Sequence, residues 1–295
     1  MIKRFFFKSL SSLRFSVFKI IRTPYYSLFR DDIVNSLSKN ISIVSTTDTL
    51  DEVEASILTK QKGAYLRFGD GDVFLMNGMR DSYQTTDKKL SEEMKEVFLM
   101  QGSHIYKCLA IHSDRFGYEE GMSAGNHKNE DKFALKLFTA CFVYFVGCKI
   151  YSPVALHFTS TNNVARANSF LKTLKSNTKI FVGNQSVNVD LKELLFGSKA
   201  VHVKTPEKDA YSEIDRIENE VLNLIATNDD FFVITIAMGC SGRPLMKRIW
   251  EKNHNVFLFD FGSLLDGISG NNTRKWLKIN NLDLDLLLKG LDEVE

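Results

Sequence analysis

Apolar residues along this chain recur in two rhythms that take turns. Leu50, Val53, Ile57 and Leu58 share one stripe at helical spacing, and Leu90, Met94, Val97 and Phe98 repeat the arrangement. Ile214, Ile217, Val221, Leu224 and Ile225 form a third stripe. Between the stripes lie short apolar runs of strand length: 63–66, 105–111, a run near Lys149, 179–182, 200–203, 231–237 and 256–259. Helix starts can be read in several places. Thr49 and Glu52 have capping-box spacing, Asp87 can cap the second stripe, and Pro206 suits the first position of a long helix reaching to about 226. Further helices are expected from about 131, over 162–174 and over 242–252. Strand and helix units alternating at this length predict an α/β fold, a mostly parallel sheet with helices on both faces. No internal repeat or low-complexity linker interrupts the pattern, so one domain over 41–295 is expected after an N-terminal segment, 1–40.

That segment is where charge changes the picture. The first thirty residues hold seven bases (Lys3, Arg4, Lys8, Arg14, Lys19, Arg22 and Arg30) and no acid, although the whole chain of 295 residues is only +2. Phe5, Phe6, Phe7, Leu10, Leu13, Phe15, Phe18, Ile20 and Ile21 are interleaved with them. The mixture fits an amphipathic helix lying on an anionic membrane surface; a helix docked on the protein's own core or on a partner chain is the competing reading. It lacks the unbroken apolar stretch and cleavage site of a secretory signal. The rest of the chain is net acidic, which argues against nucleic-acid binding. Cys108, Cys141, Cys148 and Cys240 are scattered without metal-ligand spacing, as expected of reduced thiols in a cytoplasmic protein. The longest apolar run, 137–148, falls short of the ~20 residues that a spanning helix needs.

Candidate chemistry lies in loops that follow strands, where ligands of open α/β sheets bind. The first is 67–72, Arg-Phe-Gly-Asp-Gly-Asp. Gly69 and Gly71 permit a tight turn, and on an extended chain Asp70 and Asp72 would point to one spot, as two hard ligands for Mn²⁺ or Mg²⁺. A solvated turn is the plain alternative. The second loop, 237–242, places Gly239, Ser241 and Gly242 before a helix, where backbone N–H groups can face a diphosphate. It is neither a P-loop nor a full dinucleotide fingerprint, and tight strand-to-helix packing explains it equally well. The third, 260–266, offers Asp260 and Asp266 to ribose hydroxyls, a base or a metal, or as a cap for the next segment. Gln84 in a polar loop has an amide suited to a sugar or base edge. The loop 117–129 has the composition of a substrate-facing segment. His112, Asp114, His127 and His157 are candidate bases, with ordinary structural roles the default for each. Ser241 lacks the context of a hydrolase elbow.

With these residues in view, the chain resembles the GT-D class of glycosyltransferases, a Rossmann-like group. Residues 67–72 match its R-F-G-D-G-E turn, which contains a D-x-E metal motif, with Asp72 where the family usually has Glu. The resemblance continues through Tyr83, Gln84, Asp87 and Leu90, resumes at 206–211, and is clear in Ala237, Met238, Gly239 and Leu245 and in the closing Asp260-Phe261-Gly262. It covers roughly residues 45 to 270; Ser263 stands where several members carry His. The resemblance implies a GT-D fold and transfer of a hexose from a nucleotide sugar, expected to be a UDP-hexose, with Mn²⁺ or Mg²⁺ held by Asp70 and Asp72. Arg67, Gly69, Gln84, Gly239, Ser241, Gly242 and Asp266 would bind the donor, and Asp114 is the candidate base. A glycan or lipid-linked acceptor in surface-polysaccharide synthesis would place the enzyme at the inner face of the cell membrane, held there by residues 1–30. Two alternatives stand beside this reading. One is another Rossmann-like transferase such as a methyltransferase, whose glycine loop usually follows the first strand. The other is a non-catalytic, membrane-associated assembly protein that keeps the fold.

Overall fold

The computed structural model describes residues 41–109, 146–270 and 282–294, apart from positions 82, 86, 228, 229 and 253 and the side chain of Asp70. The expected N-terminal helix, the loop 117–129, the helix from 131, and His112, Asp114 and His127 lie outside the described residues.

The chain order is β1 (Ser42–Ile43), α1 (Thr46–Leu58), β2 (Gly63–Phe68), α2 (Asp70–Met76), α3 (Lys88–Leu99), β3 (Ile105–Leu109) and β4 (Lys149–Ile150). There follow α4 (Ala155–Asn162), α5 (Val164–Asn177), β5 (Thr178–Asn184), α6 (Val189–Phe196), β6 (Val201–Thr205), α7 (Ile214–Ala226) and β7 (Phe232–Ala237). α8 (Gly242–Glu251), β8 (Val256–Asp260), α9 (Leu264–Ile268) and α10 (Leu284–Leu287) complete it. Six strands form one sheet in the order β3-β2-β8-β7-β5-β6, every neighbouring pair parallel. β1 and β4 pair separately, also in parallel.

Strand periodicity decides which side chain goes where. Ala64, Leu66 and Phe68, with Ile234, Ile236, Val256 and Leu258, face a core closed by α2, α3, α7 and α8. Tyr65, Phe181, Val233, Phe257 and Phe259 face the opposite core, closed by α1, α4, α5, α6 and α9. With both faces covered, the strands read as near-continuous apolar runs, which is the pattern of a buried parallel sheet. The same parity governs the strand ends. Arg67 follows Tyr65 onto the α4 face, and Asp260 follows Leu258 onto the α8 face.

Three helix boundaries differ from the sequence expectation, each because a local hydrogen bond outranks the apolar stripe. α1 starts at Thr46 because Ser45 accepts from the N–H of Asp48 at 3.0 Å, so Thr49 is interior and not a cap. The helix expected over 162–174 is α5, which starts at Val164 because the Asn163 side chain caps it through the N–H of Arg166 at 3.2 Å, while Asn162 ends α4. Pro206 does not open α7. Asp209 adopts a left-handed φ of 54° and accepts from Thr85 N–H, and a short 3-10 turn over Ala210–Glu213 precedes the helix at Ile214. Asp87 caps α3 as expected, accepting from the N–H of Leu90 at 3.0 Å.

Phe259 sits at the centre of the aromatic core, 1% exposed, stacked on Tyr65 at 5.1 Å and tilted against Phe170 at 5.5 Å. Removing its ring leaves a cavity that neighbouring sheet side chains cannot fill. Phe259→Ala should cost about 3–5 kcal/mol of stability in a urea unfolding titration; a loss under ~1 kcal/mol would show that this core relaxes freely.

Candidate active site

The loops 67–72, 237–242 and 260–266 leave the carboxyl ends of β2, β7 and β8, which are neighbours in the middle of the sheet. Sequence position separates the first loop from the other two by more than 150 residues, and strand order brings them together. From this centre the chain runs outward through β3 on one side and through β5 and β6 on the other, the arrangement that opens a crevice at the strand ends.

The acidic turn is not extended. Gly69 precedes α2, so residues 70–72 form the first turn of a helix. The extended backbone that the sequence suggested for this turn is corrected by this early helix start. Asp72 turns back instead: its Oδ2 accepts the N–H of Gly69 at 2.7 Å, half of a capping box, and the side chain is buried. Its Oδ1 makes no hydrogen bond of good geometry and faces Arg243 Nε at 3.4 Å.

Arg243, in the first turn of α8, joins all three loops. Its Nε donates to the carbonyl of Arg67, Nη1 to the carbonyl of Gly239, and Nη2 approaches Asp260 Oδ2 at 3.1 Å. On the other face of the sheet, Arg67 Nε donates to the carbonyl of Pro153, and Nη2 lies 3.3 Å from His157 Nε2. Arg67 Nη1 stands 4.0 Å from Asp260 Oδ1. Asp260 therefore lies between two guanidinium groups, and it neither caps the next segment nor stands open to a ribose. Gly262, at a φ of +64°, gives Arg67 its room, since a Cβ there would fall 1.4 Å from Nη1. His157 Nε2 also meets Ser263 Oγ at 3.3 Å.

Gln84 and Ser241 are together, and they are occupied. Ser241 Oγ donates to Gln84 Oε1 at 2.7 Å, the N–H of Tyr211 shares that oxygen at 3.2 Å, and Gln84 Nε2 reaches the Thr85 carbonyl at 3.3 Å. Both residues are buried, so they tie the 81–85 loop to the glycine loop and do not present polar groups to a ligand. Asp81 adds to that tie by accepting from Tyr83 N–H and from the Cys240 thiol at 3.3 Å. Burial raises the Cys240 thiol well above its ordinary range, so it is no thiolate nucleophile. Gly69 and Gly239 are the open positions: a Cβ on Gly239 would meet nothing within 4 Å, and one on Gly69 only Asp72 Oδ2 at 3.8 Å. Gly242 is packed against Ile236 and Met238, and Asp266 is half-buried in the first turn of α9. Sequence reasoning missed Arg243 and the pairing role of Asp260. Only the basic residue directly after the glycine loop hinted at the former.

The residues present do not fit the expected metal centre at Asp72. One of its oxygens is used by a main-chain N–H, and the other faces a buried guanidinium. Among the described residues no three of His, Cys, Asp and Glu gather closely enough to hold a metal ion.

The GT-D glycosyltransferase fold family matches residues 65–264, which is more than half of the chain, and the chain belongs to that family of glycosyltransferases. Three solved structures share the fold. A DUF1792 glycosyltransferase from Streptococcus sanguinis is 19% identical, with a TM-score of 0.60 over 76% of this chain and 82% of that one. A selenomethionine-substituted DUF1792 domain is 18% identical, with a TM-score of 0.58 over 79% of this chain and 82% of its own. A third DUF1792 structure, described as a distinct glycosyltransferase fold, is 17% identical with a TM-score of 0.54, covering 78% and 82%. Among curated proteins none matches. Family membership sets the methyltransferase alternative aside.

Burial pushes the Asp72 carboxyl up to about 6, while Arg243 and the Gly69 N–H pull it back down. Of those two downward pulls, that of Arg243 is the larger. Replacing Arg243 by Gln removes the larger downward pull, so the Asp72 pKa should rise above 6 in Arg243→Gln, read by carbon-detected NMR of the carboxyl through a pH titration. An unchanged or lower value would mean that the two groups do not interact.

Proposed function

We propose that this glycosyltransferase moves a hexose from a nucleotide sugar, a UDP-hexose, to a glycan or lipid-linked acceptor. The observation that carries this reading is the convergence of three loops at the ends of adjacent parallel strands, with two open glycines beside two arginines. As the glycosidic bond of a nucleotide sugar breaks, negative charge gathers on the departing diphosphate. Fixed positive groups near that position stabilise it in the transition state without having to reorganise. Arg67 lies beside the crevice over Gly262, and the glycine loop before α8 lies at the same end of the sheet. Gly69 and Gly239 let a diphosphate approach the main chain, where any side chain would hold it away. Asp72 and Asp260 act one step back, as counter-ions that keep the two guanidinium groups in place.

Calorimetry of the full chain with UDP tests the binding half of this reading, and slow hydrolysis of a UDP-hexose tests the chemical half. UDP should bind and UDP-hexose should turn over. Arg67→Ala should lower that turnover about 100-fold, the scale of removing one preorganised charge-stabilising donor. No heat with UDP, with or without Mn²⁺, would refute the donor assignment.

The basic, aromatic-rich residues 1–30 support a second part of the proposal, that the enzyme works at the inner face of the cell membrane, where a lipid-linked acceptor resides. Among the described residues no helix is long and apolar enough to cross a membrane. Deleting residues 1–30 should weaken co-sedimentation with vesicles rich in anionic lipid and leave UDP affinity unchanged. Equal vesicle binding by the truncated and full chains would refute the membrane role.

A further inference from the structure

Asp72 and Asp260 are carboxylates on different strand-end loops, 2% and 4% exposed, and a single buried cation stands between them. Buried carboxylates persist only when a positive charge and hydrogen bonds compensate them. A divalent ion would supply that charge at one point, with oxygen ligands at ~2.1 Å in near-octahedral array. Here a planar guanidinium supplies it. Arg243 Nε donates to the carbonyl of Arg67 and faces Asp72 Oδ1 at 3.4 Å, Nη2 faces Asp260 Oδ2 at 3.1 Å, and Nη1 donates to the carbonyl of Gly239. Main-chain carbonyls and carboxylates are the donor set of a hard cation, and all four are turned on the arginine. A divalent ion seated among them would have to expel Arg243, which is itself 9% exposed.

We propose that Arg243 is the resident cation of this site: a positioning residue that takes the place of a divalent metal between Asp72 and Asp260, so that donor binding does not depend on metal. The inference rests on reading the crevice as the donor site. Arg243 holds the ends of β2, β7 and β8 in register and supplies one fixed positive charge beneath the diphosphate. Lysine could not replace it, since an ammonium is a point charge and lacks the fork that reaches two carboxylates and two carbonyls at once.

The full chain is stripped with EDTA and titrated with UDP in EDTA and again in Mn²⁺, while Mn²⁺ binding to the free protein is followed by electron paramagnetic resonance. UDP affinity should agree between the two conditions within about threefold, well under the tenfold that marks a lost charge contact. Wild type should hold no Mn²⁺ that Asp72→Asn releases. A tenfold or greater loss of UDP affinity in EDTA, or saturable Mn²⁺ binding abolished by Asp72→Asn, would overturn the proposal. UDP binding in neither condition would count against the donor reading instead, and the Mn²⁺ measurement would still decide the role of Arg243. A second variant separates a cation's role from simple scaffolding. Arg243→Ser leaves two carboxylates facing an emptied space, so Mn²⁺ should bind it and raise its melting temperature by several degrees while leaving wild type unmoved. A folded Arg243→Ser protein indifferent to Mn²⁺ would refute the substitution of arginine for metal. If that variant does not fold with Mn²⁺ present, the two wild-type titrations decide alone.

Discussion

One guanidinium connects the three loops at the centre of the sheet. Arg243 leaves the first turn of α8 and reaches the loop after β2 through the Arg67 carbonyl and Asp72, its own loop through the Gly239 carbonyl, and the end of β8 through Asp260. Parallel strands do not place their following loops by themselves. Each loop turns away into a helix, and its conformation is set by whatever it touches. The buried ion pairs decide that conformation here. Removing one member of such a cluster is costly because the others are left charged and dry, by about 3–5 kcal/mol for a pair. The cluster is thus a source of specificity more than of net stability.

The two arginines divide the work by strand parity. Tyr65 and Arg67 leave β2 on the same face, so Arg67 is directed at Pro153 and His157 beside α4. Val256, Leu258 and Asp260 leave β8 on the opposite face, so Asp260 is directed at α8. At the sheet's end the two directions close on each other, and Asp260 touches both guanidinium groups. The absence of a side chain at Gly262 permits this, because any Cβ would collide with Arg67 Nη1. The centre of the sheet thereby gathers positive charge from both faces, and each guanidinium keeps a carboxylate partner.

Much of this was legible before any coordinates. The sheet was legible because a strand buried on both faces reads as a near-continuous apolar run, as 256–259 does and 232–236 does but for Thr235. The three loops were legible because glycine after such a strand marks a place where the main chain turns or is approached. The side-chain directions were not. Two acids two positions apart suggest an extended turn, yet α2 begins at Asp70 and the Asp72 carboxylate turns back to the Gly69 N–H. Gln84 and Ser241 looked like ligand groups because polar residues in loops often are, yet each satisfies the other. Arg243 attracted no notice, since a base in the first turn of a helix is ordinarily solvated; only the strand order reveals that this one points into the junction of three loops.

The short acid at position 72 follows from the same junction. As the third residue of α2 its carboxylate must reach back to the Gly69 N–H, and an aspartate spans that gap at 2.7 Å while its second oxygen stays level with Arg243 Nε. Aspartate at 72 thus meets the Gly69 N–H and Arg243 at once. The turn that reads as a metal motif in sequence becomes, with Arg243 beside it, one half of a buried ion pair.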